Sequence, residues 1–145
     1  MPKVSVIMGV YNTNKEYISL AIESILNQTY TDFEYIICND GCTDDTFEYI
    51  KSKYKDSRIV YIENDTNRGL AYTLNHCLNK AQGEYIARMD SDDESLLNRI
   101  EEQVDFLDNN KEYGVAATNA NLFDENGIWG KLEYNENINK KDFLK

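Results

Sequence analysis

The sequence predicts an α/β fold, with a mostly parallel central sheet and helices on both of its faces. Short apolar runs alternate with amphipathic stretches of helical period, in the order β-α-β-α-β-α-β-α-β. This alternation predicts parallel strands that are joined by right-handed crossovers. The chain has 145 residues, the size of one ordinary domain, and a hydrophobic content of 41%, which is enough for a core.

Five short runs predict the strands. They are rich in apolar and β-branched residues, and the second run is nearly continuously apolar, which is typical of a strand buried on both faces. The predicted strands are residues 3–8, 33–38, 59–62, 85–89 and 115–118. The pattern weakens after Asn119.

Four stretches between these runs predict helices, each with one apolar face. Thr13 and Glu16 have the spacing of a capping box at the start of the first helix. Thr43 or Asp44 caps the second helix, and Gly83 is placed to end the third. The residues of the four apolar faces are Ile18, Ala21, Ile22, Ile25 and Leu26; Phe47, Ile50 and Tyr54; Leu70, Leu74, Cys77, Leu78 and Ala81; and Leu96, Leu97, Ile100, Val104 and Leu107.

Composition excludes several classes of protein. Fifteen basic and 26 acidic residues give a net charge of -11, which argues against a nucleic-acid partner because phosphate backbones need a basic face. No apolar run approaches the ~20 residues of a membrane span, and no secretory segment follows Met1. Cys38, Cys42 and Cys77 are an odd number without a C-x-x-C spacing, so we expect free thiols in a reducing, cytoplasmic compartment.

Polar loops follow the predicted strands at one edge of the sheet. They are residues 9–12, Asp40, Asn67 with Arg68, and residues 90–93. In α/β folds of this kind, ligands bind outside the carboxyl ends of the strands. The sequence therefore predicts a ligand site where these four loops meet.

The acidic segment Asp90-Ser91-Asp92-Asp93-Glu94 directly follows an apolar strand. Clustered carboxylates repel one another and lose hydration when they are partly buried. A hard divalent cation relieves both costs and keeps coordination positions for phosphate oxygens. The segment predicts a metal site that binds a phosphorylated ligand; the alternative is a solvated turn that caps the next helix.

Three further residues admit two interpretations each. Asp40 is either a tight-turn residue or an acceptor for a base imide or a ribose hydroxyl, and Tyr11 either stacks on a base or fills core. Arg68 either pairs with a diphosphate or lies free on the surface. His76 is interpreted as an ordinary helix residue. Neither G-x-G-x-x-G nor G-x-x-x-x-G-K-[ST] occurs, which removes the main support for dinucleotide oxidoreductases and P-loop NTPases.

In order and spacing, seven segments together resemble the family 2 glycosyltransferases of the GT-A fold. The segments are residues 4–12, 24–30, 39–44, 67–69, 83–86, 90–93 and 97–103, and the resemblance covers residues 3–121. It implies metal-dependent transfer of a sugar from a nucleoside diphosphate sugar to an acceptor hydroxyl, with inversion. The implied cofactor is Mg²⁺ or Mn²⁺, and a UDP-sugar is the favoured donor.

The same resemblance implies the residues of the site. By position, the nucleotide-sugar-binding residues are Gly9, Val10, Tyr11, Asp40, Arg68, Asp90 and Ser91, and the metal ligand is Asp92. Asp40 resembles the carboxylate that recognises the base, and Arg68 resembles a base or diphosphate contact. Asp90 and Asp92 resemble the D-x-D motif, with Asp90 near the ribose and Asp92 on the metal.

The chain departs from the family pattern in three places. Gly9 stands where proline is usual, and Cys42 stands in an Asn-Asp-Gly-Cys segment where Asp-Asp-Gly-Ser is usual, although Asp40 is kept. The general base of inverting members lies in a later acceptor-binding segment that has no match before Lys145, and Asp124 with Glu125 form a turn rather than a candidate. The catalytic base therefore stays unassigned.

We expect residues 1–121 to form a nucleotide-sugar-binding domain and residues 122–145 to begin an incomplete acceptor-side region. The acceptor is a saccharide or a lipid-linked saccharide, as in bacterial surface polysaccharide synthesis, with the longer protein peripheral at the inner face of the membrane. One alternative is a sugar-nucleotide-binding fragment without turnover. Another is a response-regulator-like domain. That class needs an acidic pair after the first strand and a lysine after the fifth, and this chain has neither.

Overall fold

The structure, a computed structural model, describes residues 1–133. Its elements are β1 (Val4–Val10), α1 (Lys15–Leu26), β2 (Phe33–Asn39), α2 (Thr46–Lys53), β3 (Ile59–Glu63), α3 (Leu70–Leu78), β4 (Tyr85–Arg88), α4 (Arg99–Asn109), β5 (Ala120–Asp124) and β6 (Gly127–Leu132). The chain divides into two compact units, residues 1–104 and 105–145, with the boundary inside α4. Within residues 1–133, no helix has both the length and the apolar character needed to cross a bilayer.

The first unit contains a four-stranded sheet in the order β3-β2-β1-β4. All three strand pairs are parallel, which confirms the sheet that the alternating pattern predicts. β1 lies in the interior, and the chain runs from it to β2 and β3 on one side before it returns to β4 on the other. The strand order therefore reverses beside β1, the position at which α/β sheets open a crevice for ligands.

The sheet is covered on both faces, as predicted. The larger apolar cluster joins alternate residues of β1 and β2 to α1, α2 and the start of α4: Val4, Val6, Met8, Val10, Phe33, Tyr35, Ile37, Ile18, Ile22, Ile25, Phe47, Ile50, Ile100 and Val104. The smaller cluster lies on the opposite face, where Ile7, Ile36 and Cys38 pack against Cys77 of α3. Because both faces of β1 and β2 are buried, their sequences read as nearly continuous apolar runs.

The predicted fifth strand over residues 115–118 is wrong. The strand after α4 is β5, which pairs antiparallel with β6 in a separate two-stranded sheet. The turn has its own chemistry, because Asp124 accepts the Asn126 N–H at 2.8 Å and Gly127 has φ +114°. Residues 115–118 make no strand pairing within residues 1–133, and Val115 is 63% exposed, so neither a sheet nor a core holds this run extended.

Two predicted helix starts also differ from the structure. Asn14 caps α1, accepting the Glu16 N–H at 2.7 Å, whereas the Thr13 hydroxyl contacts Ser91 instead of closing a capping box. α4 begins at Arg99, and the side chains of Leu96 and Leu97 are exposed rather than on its apolar face. Their carbonyls explain this, because they accept hydrogen bonds from Gln28 and Thr29 at the end of α1.

Gly83 does not end α3, which finishes at Leu78 with Asn79 as its cap. Gly83 instead lies against β1, where its N–H donates to the Ser5 hydroxyl at 2.8 Å. A Cβ at this position would lie 2.5 Å from the Ser5 nitrogen, a distance that real Cβ atoms do not tolerate. The glycine is therefore required by the close approach of two backbones.

Candidate functional site

A cavity of about 250 Å³ opens at the carboxyl end of β1. Its lining residues are Gly9, Val10, Tyr11, Asp40, Asn67, Gly69, Leu70, Thr73 and Ser91. Five of the predicted site residues line it, and they come from the ends of β1 and β2 and from the loop after β4. Arg68, Asp90 and Asp92 are each adjacent in sequence to a lining residue.

The predicted loop at residues 9–12 is in part the end of a strand. Gly9 and Val10 both belong to β1, and the Val10 side chain is fully buried in the core. Tyr11 is 46% exposed at the mouth of the cavity, so it does not fill core and its ring is accessible to a ligand. A Cβ at residue 9 would lie 3.0 Å from Thr73 Cγ2, so Gly9 leaves room for the cavity wall.

Asp40 is 4% exposed, and N–H donors and the Thr73 hydroxyl surround its carboxylate. Its Oδ1 accepts the Arg68 N–H at 2.8 Å and an Asn64 Nδ2 hydrogen at 2.9 Å, and its Oδ2 accepts the Gly69 N–H at 3.0 Å. Burial alone would raise the pKa of this carboxyl, but the hydrogen bonds from Arg68, Asn64, Thr73 and Gly69 lower it below the usual value. Asp40 is therefore a buried carboxylate that is ionised at neutral pH.

The tight-turn interpretation of Asp40 agrees with the structure, and the turn also positions the carboxylate. Gly41 has φ +72°, and a Cβ there would lie 2.5 Å from the Asn67 nitrogen. The loop after β2 consequently packs directly on the loop before α3. This close contact brings the Arg68 and Gly69 N–H groups onto the Asp40 carboxylate.

Arg68 presents an exposed guanidinium beside the cavity. Its Cζ lies 4.7 Å from the ring centroid of Tyr72, which belongs to the first turn of α3. Stacking on an aromatic ring restrains a guanidinium while its N–H edge stays available to oxygen ligands. The arrangement suits a contact with phosphate oxygens.

The acidic segment begins with an ion pair. Arg88 Nη2 lies 2.8 Å from both carboxylate oxygens of Asp90, and Arg88 Nε lies 3.0 Å from Oδ1. The Ser91 hydroxyl lies 2.8 Å from the Thr13 hydroxyl and reaches the cavity. Asp92 is exposed.

The acidic segment carries excess negative charge. Desolvation and the charges of Asp90 and Asp92 raise the pKa of Asp93. Within residues 1–133, no group of three His, Cys, Asp or Glu side chains is arranged to hold a metal ion. A divalent ion here would take one carboxylate from the chain and its other ligands from phosphate oxygens and water, which is a common arrangement for Mg²⁺. The residues present fit an ion that binds together with a diphosphate.

Sequence reasoning did not identify Thr73, Leu70 or Asn64 as parts of the site. Thr73 and Leu70 line the cavity from the first turn of α3, where a threonine and a leucine at helical spacing look like ordinary packing. Asn64 directly follows β3 and so lies at the same carboxyl edge as Asp40. Its position after the strand is the one signal by which it could have been found.

The family model described as glycosyl transferase family 2 matches residues 5–144 of the chain. EpsE of Bacillus subtilis (strain 168) is 48% identical over 132 residues, which cover 89% of this chain and 47% of EpsE. The Escherichia coli protein named UDP-Glc:alpha-D-GlcNAc-diphosphoundecaprenol beta-1,3-glucosyltransferase WfaP is 44% identical over 111 residues, covering 77% of this chain and 43% of WfaP. The chain spans less than half the length of these two relatives.

A solved structure gives the same result for the fold. The crystal structure of residues 1–349 of Staphylococcus aureus TarS in complex with UDP-GlcNAc has a TM-score of 0.69 and 27% identity, covering 75% of this chain and 32% of the TarS chain. The likeness confirms the GT-A fold that the sequence segments implied and excludes the response-regulator alternative. The chain belongs to glycosyl transferase family 2.

Proposed function

We propose that the protein containing this chain transfers a sugar from a nucleoside diphosphate sugar to an acceptor hydroxyl, and that this chain binds the donor. The observation that carries the proposal is the cavity at the carboxyl end of β1, where Tyr11, Asp40 and Ser91 meet. Arg68 and Asp92 are adjacent in sequence to residues that line this cavity. The family membership supports the same chemistry, and so do the UDP-sugars that WfaP and the TarS complex are named for.

Each of these residues binds a different part of the donor, according to its chemistry. Tyr11 stacks on the base, and Asp40 accepts an imide N–H of the base, which favours uracil or guanine over bases that present an acceptor there. Arg68 neutralises charge on the diphosphate as the glycosidic bond breaks. Asp92 would hold Mg²⁺ or Mn²⁺, and the ion would supply Lewis-acid stabilisation of the leaving diphosphate.

The acceptor hydroxyl needs a general base, and we assign that base to a carboxylate outside residues 1–133. Among the described residues that line the cavity, Asp40 is the single carboxylate, and it is nearly saturated by internal donors. Single displacement with inversion follows from such a base acting on the face opposite the diphosphate. A lipid-linked saccharide is the acceptor class that the name of WfaP supports. A cytoplasmic location at the inner face of the membrane remains a prediction.

Calorimetric titration of UDP and GDP into the chain, with MnCl₂ or with EDTA, tests donor binding. We expect UDP to bind in Mn²⁺, and Asp92→Ala to remove the dependence on the ion. Glu94→Ala is the matched control, because it removes a neighbouring exposed carboxylate to which no ligand role is assigned. Absence of binding by every nucleoside diphosphate with either Mg²⁺ or Mn²⁺ would refute the proposal.

The second candidate is donor binding without turnover, favoured by the described residues that line the cavity, among which Asp40 is the single carboxylate. It predicts UDP binding without release of UDP from UDP-glucose or UDP-GlcNAc, whether or not a saccharide acceptor is present. A coupled assay for UDP release, run beside the calorimetry, separates the two candidates. Measurable transfer by the 145-residue chain would rule out this second candidate.

A further inference from the structure

A chain of hydrogen bonds runs from α3 to Asp40 behind the cavity. The His76 Nδ1 atom lies 2.8 Å from Asn64 Oδ1, and Asn64 Nδ2 lies 2.9 Å from both Asp40 Oδ1 and Thr73 Oγ1. The Asn64 N–H donates to the Asn39 carbonyl at 2.8 Å, which ties its backbone to the end of β2. Neither Asn64 nor His76 lines the cavity.

The direction of these bonds follows from the chemistry of the groups. An ionised carboxylate only accepts, so the atom of Asn64 that faces Asp40 must be its NH₂ group. The second hydrogen of that group goes to Thr73, and Oδ1 is left to accept. His76 must therefore donate from Nδ1, which holds for the neutral ring protonated there and for the cation.

His76 thus selects the orientation of the Asn64 amide. If the amide turned over, its oxygen would face the Asp40 carboxylate and its NH₂ group would face the Nδ1–H of His76. Both contacts would be repulsive, and a buried polar group without a partner is costly. The interpretation of His76 as an ordinary helix residue is incomplete for this reason.

The network determines how much acceptor capacity Asp40 has left. A carboxylate offers about four lone-pair sites. Oδ1 accepts two N–H donors, from Asn64 and Arg68, whereas Oδ2 accepts one, from Gly69. The Thr73 hydroxyl also hydrogen-bonds the carboxylate, but a hydroxyl rotates and can release its place to a ligand. Oδ2 is therefore the oxygen that has room for a further N–H donor.

We propose that Asn64 and His76 are positioning residues that orient Asp40, so that Oδ2 accepts the imide N–H of the donor base. This inference rests on the proposed donor site and assigns specificity to two residues outside the cavity. Substituting either residue changes donor recognition through Asp40, without removing any group that touches the nucleotide.

Three variants test the inference. His76→Phe keeps a ring of similar size but removes the donor, and His76→Asn restores an N–H near the position of Nδ1. Asn64→Asp is nearly isosteric and replaces the NH₂ group that faces Asp40 by an oxygen. Lys80→Ala, an exposed change just after α3, is the control.

Two measurements are made on each variant of the 145-residue chain. A ¹³C NMR titration of the Asp40 carboxyl carbon reports its pKa without any nucleotide, and calorimetry with UDP and MnCl₂ reports donor affinity. We expect His76→Phe and Asn64→Asp to raise the Asp40 pKa and to weaken UDP binding about tenfold, as for loss of one hydrogen bond to a charged group. His76→Asn recovers both values, and Lys80→Ala changes neither.

The outcomes separate this inference from the proposed function. Wild-type UDP affinity and an unaltered Asp40 pKa in His76→Phe would overturn the inference and leave the donor site standing. The inference is also overturned if His76→Asn loses as much affinity as His76→Phe, since bulk alone would then explain the effect. If the wild-type chain binds no nucleotide while the Asp40 pKa responds to His76→Phe, the proposed function fails and the positioning of Asp40 is retained.

Discussion

Asp40 is a buried carboxylate whose charge is balanced by hydrogen-bond donors and not by a cation. Two of the donors are backbone groups of Arg68 and Gly69, and the others are the side chains of Asn64 and Thr73. The carboxylate therefore joins the end of β2 to the start of α3 and shapes one wall of the cavity. Stability and, in the proposed function, donor recognition depend on the same side chain.

Asp40→Asn is expected to lower the free energy of unfolding by about 2 kcal/mol, because the amide places donors against donors in a buried site. The same change should weaken UDP binding. Urea denaturation at pH 7 measures the first effect and calorimetry the second. Asp65→Asn is the control, since Asp65 is an exposed acidic residue of the same segment. An unchanged urea midpoint in Asp40→Asn would contradict the structural role.

Asp56 provides a pH-dependent contribution to stability. The side-chain hydrogen bonds from Arg58 lower the pKa of Asp56 to about 2, with Arg58 Nη2 2.8 Å from its carboxylate. Because the folded-state pKa lies below the unfolded value of about 3.9, the stabilisation is complete above about pH 5 and is lost as the pH falls towards 2.

Asp56→Asn is therefore expected to cost about 1–2 kcal/mol at pH 7 and progressively less below about pH 5. Urea unfolding of both proteins at pH 7, 4 and 3 measures the difference. Glu112→Gln, an exposed change, should leave the pH dependence as in the wild type. A difference that grows as the pH falls would have the wrong sign for this mechanism.

At the scale of elements, the sheet is held in register by a backbone contact as well as by its ladders. Ser5 accepts the Gly83 N–H and donates to Glu34 Oε1 at 2.6 Å, and Glu34 also accepts the Gln82 N–H at 2.7 Å. These bonds tie the segment before β4 to β1 and β2. The missing side chain of Gly83 allows the approach.

Gly83→Ala is expected to destabilise the fold by about 3 kcal/mol, since the added Cβ would lie 2.5 Å from the Ser5 nitrogen and 2.6 Å from the Val4 carbonyl carbon. Gly114→Ala is a matched control, because a Cβ at Gly114 meets nothing within 4 Å. Thermal unfolding of the two variants gives the comparison. Equal melting temperatures would show that the backbone at residue 83 relaxes freely.

The start of α1 offers a second test at this scale. Asn14→Ala removes the side chain that accepts the Glu16 N–H and should cost about 1 kcal/mol. Restoration by Asn14→Asp or Asn14→Ser would identify the loss as that of a cap. Urea unfolding measures all three variants. An Asn14→Ala protein as stable as the wild type would contradict the cap.

At the scale of the whole molecule, the chain carries a net charge of -11. Like charges that are spread over a small protein repel one another and destabilise its compact state. The surface ion pairs, such as Lys51 with Glu63 at 3.2 Å, are too exposed to offset this surplus.

Raising NaCl from 20 to 500 mM should therefore increase the free energy of unfolding, by less than about 1 kcal/mol, because added salt screens the repulsion. Urea midpoints across the salt series measure the effect. Choline chloride should act equally if screening, rather than Na⁺ binding, is responsible. A midpoint that falls with salt would mean that the ion pairs dominate.

The amino-acid pattern alone was enough to predict the parallel sheet, its covered faces and the edge at which Tyr11, Asp40 and Ser91 meet. Buried strands and amphipathic helices leave a periodic record in the sequence, and parallel strands bring their carboxyl ends together. The family resemblance rests on those same loops. The hairpin of β5 and β6 was not predicted, because its position is determined by the turn at residues 124–127 and not by the weak apolar run at residues 115–118.

The arrangement of the side chains in the site was determined by the tertiary structure alone. The donors that keep Asp40 ionised include the backbone N–H groups of Arg68 and Gly69, and every residue but proline carries such a group, so no sequence pattern marks them. The hydrogen-bond partners of Asn64 and His76 lie 24 and 12 residues away in the sequence. The local periodicity of helices and strands does not predict contacts over such separations. Residue types place polar groups at the sheet edge, and only the three-dimensional contacts determine which atoms are left for a ligand.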